Sequence, residues 1–176
     1  MSDAAAAPET RVIDVDEAQH RTVLNQLGAT VHAAAFGEIV SVLMSSPVHR
    51  GAKLSDLAKF VAPAVAARQY VVLKVAPAGR PDAALPVGAA LWAAVSPEVD
   101  QRLRAAKDQP VALTPEEWRG GEHLWLVDLI AVDSVRRALL EDLRDRVAEG
   151  RPMALKIRDA GGDFSVSTVG DVLARL

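Results

Sequence analysis

The chain reads as an α/β (α+β) fold in a single domain, with a mixed, largely antiparallel central sheet flanked by helices. Three observations predict this. Two early stretches carry apolar residues at helical spacing; a pair of β-rich runs joined by a loop of Pro, Gly and Asp follows; and capped helices then alternate with strands to the end of the chain.

Residues 1–20 are rich in Ala, Asp and Glu and lack a sustained apolar period, so they are expected to form a flexible leader to a domain over 21–176. From about Leu27 to Met44 the residues Val31, Ala34, Ala35, Ile39, Val42 and Leu43 recur at threes and fours, which predicts a helix that Pro47 ends. Leu54 to Ala67 repeats the pattern, with Pro63 as an expected kink or division. Gln69–Val75 and Val87–Val95 are β-rich and flank a turn-forming loop, which predicts an antiparallel pair. Ser96-Pro97-Glu98 is a helix start, with Ser as N-cap and Pro at the first helical position. Thr114-Pro115-Glu116-Glu117 is a second start signal, closed by Gly120-Gly121, and Trp118 and Trp125 on either side read as core anchors. His123–Val132 is the strongest strand, Ser134–Glu149 an amphipathic helix stopped by Gly150, and Met153–Ile157 with Phe164–Ser167 a terminal strand pair before a short helix.

Composition narrows the function classes. Half of the 176 residues are apolar but only three Trp, three Phe and one Tyr are present, so packing must rely on Ala, Val and Leu. A net charge of -3 gives no electrostatic pull towards nucleic acid. The lack of cysteine excludes thiolate nucleophiles, disulfides and Cys-based zinc sites. His20, His32 and His123 have no metal-site spacing, and the phosphate-loop, dinucleotide and nucleophile-elbow motifs are missing, so no cofactor is expected. No signal segment and no membrane span is expected, and the simplest reading is cytoplasmic.

Two segments carry candidate chemistry. Asp128 stands in Trp125-Leu126-Val127-Asp128-Leu129-Ile130-Ala131, where strict alternation puts it on one face with Leu124, Leu126 and Ile130. A carboxylate there needs a partner. A purely structural role would have it accept backbone hydrogen bonds, pair with an Arg, or sit at a bulge facing solvent. His49 stands in Ser45-Ser46-Pro47-Val48-His49-Arg50. With Ser46 as N-cap of a short helix, exposed N–H groups near the imidazole would disfavour its protonation and suit it to act as a base; the plainer alternative is a helix-junction cap. A His and a buried Asp are the usual material of a proton-transfer site.

Together with Val61-Ala62-Pro63-Ala64-Val65, Gln69-Tyr70-Val71-Val72-Leu73, Pro86-Val87-Gly88-Ala89-Ala90-Leu91-Trp92-Ala93 and Glu117-Trp118-Arg119-Gly120-Gly121-Glu122-His123, these segments resemble the RTX toxin-activating lysine acyltransferases over about residues 27–160. The resemblance implies an acetyltransferase-like (GNAT-like) fold. It also implies transfer of a fatty acyl group from acyl-acyl carrier protein (acyl-ACP) to the ε-amine of an internal lysine in an RTX-type protein, and a homodimer. It carries the essential histidine to His49, the essential aspartate to Asp128 and a contributing serine to Ser46. Val132-Asp133-Ser134-Val135-Arg136-Arg137 stands where coenzyme A-dependent acetyltransferases have a Gly-rich pyrophosphate loop, which argues for a carrier-protein donor. Arg68, Arg102, Arg104, Arg136 and Arg137 are candidates for docking that acidic carrier.

The chain departs from the family pattern around the motifs. Val42, Leu43 and Met44 stand where tryptophans are usual, Arg50-Gly51-Ala52-Lys53 follows the histidine, and the aspartate motif reads Asp128-Leu129-Ile130-Ala131-Val132. A divergent acyl pocket is expected. The rival reading is a catalytically inactive acyltransferase-like binding module or chaperone for a secreted partner.

Overall fold

In the computed structural model, which describes residues 17–106, 109–158 and 161–176, the two early helical stretches become α1 (Glu17–Ser45) and α2 (Leu54–Ala67). The β-rich runs become β1 (Tyr70–Val75), β2 (Leu85–Val95), β3 (His123–Ala131), β4 (Met153–Arg158) and β5 (Phe164–Thr168). Between and after them lie α3 (Pro97–Ala105), α4 (Asp133–Asp142) and α5 (Val169–Leu173). The strands form one sheet in sequence order. β3 and β4 run parallel and the other neighbours antiparallel, the mixed and largely antiparallel arrangement expected.

The chain divides into two units, the residues up to Val31 and His32–Leu176. The second holds the sheet, the core and the site described below. Of the expected leader, residues 1–16 lie outside the described residues and Glu17 to His20 belong to α1. Contrary to the expectation that no apolar stretch approaches the length of a span, Asn25–Ser45 is 21 residues long with a mean hydropathy of 1.5, enough by length and composition alone to cross a membrane. Its apolar residues stand in short runs, Ala33 to Phe36, Ile39-Val40 and Val42 to Met44, broken by Gly37, Glu38 and Ser41, so no long unbroken apolar run marks it. Ala35, Ile39, Val42 and Leu43 from this stretch are buried in the core of the second unit.

Helices cover both faces of the sheet. On one face, the end of α1 and the apolar side of α2 (Leu57, Val61, Ala64, Val65) pack on Ala89, Leu91, Ala93 and Val95 of β2 and Trp125 and Ile130 of β3. On the other, Leu139, Leu140 and Leu143 with Val169 and Leu173 pack on Ala90, Leu124, Leu126 and Met153. β2 lies inside the sheet and carries small residues on both faces, Ala89 and Ala93 on one and Ala90 and Ala94 on the other, which lets helices approach from both sides.

Local chemistry explains most boundaries. Ser96 Oγ accepts from Val99 N at 3.3 Å and Pro97 opens α3, as a capped helix requires. Thr114 starts only a short 3-10 turn, Pro115–Trp118, with Glu117 accepting from Thr114 N at 2.9 Å. α2 runs unbroken through Pro63, so of the expected kink or division the division does not occur. A proline inside a helix costs roughly 3 kcal/mol, and burial of the residues around it, Val61, Ala64 and Val65, holds the helix together. The helix expected over Ser134–Glu149 is α only to Asp142 and ends in one π turn, Leu143–Val147, stopped by positive φ at Glu149 (51°) and Gly150 (80°). Gly121 is required by space, since a Cβ there would stand 2.4 Å from Val95 O. Trp118 and Trp125 flank this approach and are fully buried, as expected of core anchors.

Two irregularities position the site. β3 and β4 pair only at Leu124↔Met153 and Trp125↔Ala154, so beyond Trp125 the two strands part. Opposite β2, the register of β3 shifts between Leu91↔Asp128 and Trp92↔Leu126, leaving Val127 as an extra residue. That bulge overturns the alternation expected for β3: Leu124 and Leu126 stay on the α4 face, whereas Asp128 and Ile130 turn to the α1–α2 face.

Candidate active site

α1 stops at Ser45 because Pro47 follows, and α2 starts at Leu54; the eight residues between them, of which 47–51 form a turn, carry His49. His49 N and Arg50 N both donate to Ser46 O, at 3.2 and 2.9 Å, and Ala52 N donates to His49 O at 2.8 Å. This tight turn holds the imidazole over the face to which the bulge turns Asp128. His49 Nε2 lies 3.1 Å from Asp128 Oδ2, and the two side chains are 21% and 23% exposed. Asp128 Oδ1 accepts from Leu129 N at 2.9 Å, which fixes the carboxylate in its plane. At the other side of the ring, Ser46 Oγ lies 2.9 Å from His49 Nδ1. The three residues singled out in the sequence, Ser46, His49 and Asp128, therefore form one hydrogen-bonded line. Of the structural roles open to Asp128, two are also observed: it stands at a bulge and accepts a backbone hydrogen bond.

Two details differ from expectation. Ser46 caps no helix, because residues 47–51 are a turn, and its hydroxyl bonds the imidazole instead. The pKa of His49 is raised, not lowered: the hydrogen bond that it donates to Asp128 outweighs the opposing effect of burial, and the charge of Asp128 adds to the rise. A carboxylate only accepts, so Nε2 carries the hydrogen of the neutral ring and Nδ1 offers its lone pair to the Ser46 hydroxyl. The arrangement is that of a base whose orientation and conjugate acid are both supported by a carboxylate.

His49 and Asp128 line a cleft of about 430 Å³. Asp56 and Lys59 give it a charged edge, and Phe60, Leu113, Trp118 and Val127 give it apolar walls. Part of the wall is the irregular segment 110–113. Lys156 of β4 holds the start of this segment by donating to Ala106 O at 2.6 Å and Gln109 O at 2.7 Å, and Arg102 donates to Ala112 O at 3.4 Å. Neither this wall nor the bulge residue Val127 has a periodic or motif signal in the sequence. The indole N–H of Trp118 is buried without a partner among the described residues. A second, smaller cavity of about 80 Å³ lies against Ser46 and is lined by Val42, Pro47, Val87 and Ala131 among others.

The other candidates are not gathered here. His123 Nδ1 lies 3.9 Å from Asp100, and no group of three or more His, Asp or Glu could hold a metal ion among the described residues. Of the arginines considered for docking, Arg102 pairs with Glu117, Arg104 with Asp100, Arg136 with Asp133 and Arg137 with Glu141, all four remaining partly exposed.

Residues 29–166 match the HlyC RTX toxin acyltransferase family. Over 109 residues the chain is 31% identical to the leukotoxin-activating lysine-acyltransferase LktC of a Pasteurella haemolytica-like species, covering 62% of this chain and 60% of that protein. It is 32% identical over 109 residues to the RTX-I toxin-activating lysine-acyltransferase ApxIC of Actinobacillus pleuropneumoniae, covering 62% and 58%. It is also 30% identical over 139 residues to the protein-lysine palmitoyltransferase CyaC of Bordetella bronchiseptica, covering 78% and 69%. The match to the first two thus spans about three fifths of their length. The family match takes in His49, the bulged strand with Asp128 and the sheet between them, and on that ground the chain belongs to the RTX toxin acyltransferase family.

Proposed function

We propose that the chain is a cytoplasmic protein-lysine fatty acyltransferase that takes its acyl group from acyl-acyl carrier protein and attaches it to an internal lysine of an RTX-type protein, activating that protein. The observation that carries this reading is the Ser46–His49–Asp128 line at the edge of an apolar-walled cleft.

Lysine is almost wholly protonated near neutral pH and cannot attack a thioester until it loses a proton. His49 removes a proton from the amine, and Asp128 stabilises the imidazolium that results. The lysine nitrogen then forms a bond to the thioester carbonyl carbon, and the bond from carbon to sulfur breaks. The amide nitrogen sheds its surplus proton, and the departing thiolate takes one back from His49. The sum is an amide, a free thiol and one released proton. This direct transfer is favoured over an acyl-imidazole, because Nε2 is committed to Asp128 and Nδ1 to Ser46.

A carrier-protein donor is supported by the start of α4. Asp133 stands in its first turn, 90% exposed, where a coenzyme A pyrophosphate would need positive potential. The test is to supply purified chain and an RTX-type acceptor with either acyl-acyl carrier protein or acyl-coenzyme A and to read the intact mass of the acceptor. An acyl adduct from the carrier-bound donor alone is expected. An adduct from acyl-coenzyme A at equal or greater rate contradicts the donor assignment.

A further inference from the structure

The geometry points to a division of the two substrates between the two cavities: the aliphatic stem of the acceptor lysine threads the small apolar slot to reach Ser46 and His49 Nδ1, while the donor's acyl chain lies in the larger cleft. This rests on the acyl-transfer reading above and adds which wall meets which substrate.

The first argument is the polarity of His49. Asp128 can only accept, so Nε2 is a donor and the basic lone pair is at Nδ1, which faces Ser46 Oγ at 2.9 Å. The proton must therefore arrive from the Ser46 side. Ser46 lines the slot and not the cleft; His49 and Asp128 line the cleft and not the slot. The two cavities share no lining residue, and the hydrogen bond between Ser46 and His49 joins the wall of one to the wall of the other.

The second argument is size and polarity. The slot is about 80 Å³ against about 430 Å³ for the cleft. A lysine stem is four methylenes long and a fatty acyl chain several times longer, so the small cavity fits the first and the large one the second. The slot has no ionisable residue in its lining, which includes Val42, Val87, Ile130 and Ala131. An ammonium drawn into such surroundings loses hydration, and its pKa falls towards that of the imidazole that must deprotonate it. Val132, 61% exposed, also lines the slot and opens it to solvent, where an acceptor segment would lie.

At the end of the slot the amine gives a proton to Ser46 Oγ as the hydroxyl passes its own to His49 Nδ1. The serine ends as it began and the imidazolium carries the proton.

Two-substrate kinetics on the full chain test the division, with carrier proteins loaded with acyl groups of graded length and the acceptor that gains an adduct from wild type. Ala131→Leu, and the milder Val87→Ile, fill the slot and are expected to raise the acceptor KM, for the leucine by at least the roughly 10–200-fold that a single methylene of misfit counts for in an apolar pocket. Donor KM and preferred chain length should stay as in wild type. Val111→Phe narrows the cleft and is expected to shorten the preferred acyl chain with the acceptor KM unchanged. A slot variant that shifts chain preference, or folded slot variants that leave the acceptor KM untouched, overturn the division while acyl transfer itself stands. Failure of wild type to modify the acceptor with any donor overturns the transfer reading, and the division with it.

Discussion

His49 is gripped at both nitrogens, and pH separates the two grips. Its pKa is raised by the hydrogen bond that it donates to Asp128, so the rising limb of the pH–rate profile should lie above the ordinary imidazole value of about 6.5. Asp128→Asn removes that support: the limb should move to lower pH, and the rate should fall by roughly 10²–10⁴-fold. Initial rates between pH 5 and 9 check both, and a limb that does not move contradicts the role given to Asp128. Stability should follow the same group. The raised folded-state pKa means that the pair's contribution is fully present below the unfolded value and is lost as pH rises through the folded one. The Tm difference between wild type and Asp128→Asn should thus be largest below about pH 6 and shrink towards pH 8. In the sequence, Asp128 was legible as a candidate because a carboxylate among apolar neighbours is hard to explain by packing, whereas Ser46 and His49 read equally as a helix-junction cap. The direction of the His49 shift was not legible, because it depends on a residue nearly eighty positions away that only the sheet brings near.

At the scale of elements, β3 shows where pattern reading stops. Alternation read from residue 124 puts Asp128 with Leu126, but the extra residue Val127 separates them onto opposite faces. No residue type announces that bulge: it arises in the pairing with β2, at Leu91↔Asp128, and a single strand's sequence holds only half of the pairing. Helix starts were more legible, since Ser96-Pro97 and Thr114-Pro115 place their caps within three residues of the groups they satisfy. The Gly121 approach makes a sharp prediction. With 2.4 Å to Val95 O, Gly121→Ala must push β2 and the 3-10 turn apart, at a cost of roughly 1–3 kcal/mol. Gly28→Ala meets nothing within 4 Å and should leave Tm unchanged or slightly raised. Thermal unfolding of both variants checks the contrast, and equal Tm values contradict it.

For the whole molecule, the fold class and the order of helices and strands along the chain follow from patterning, while the covering of both sheet faces follows from burial. Leu139, Leu140 and Leu143 are fully buried against one face, and Ile39 and Val61 against the other. Leu140→Ala should cost roughly 2–5 kcal/mol without touching the site, so its activity should fall only in step with the folded fraction. Every residue of the proposed chemistry lies within the unit His32–Leu176. A chain beginning at His32 is therefore expected to keep its near-ultraviolet circular dichroism and its acyl transfer; loss of both would contradict the division at Val31. The central claim, that one hydrogen-bonded line through His49 performs lysine acylation, has a direct test. Wild type, His49→Ala and Asp128→Asn are each co-expressed with an RTX-type protein and acyl carrier protein, and the acceptor's intact mass is measured. The predicted result is an acyl adduct with wild type, none with His49→Ala and a trace with Asp128→Asn. An undiminished adduct with His49→Ala, or no adduct with wild type, would contradict it.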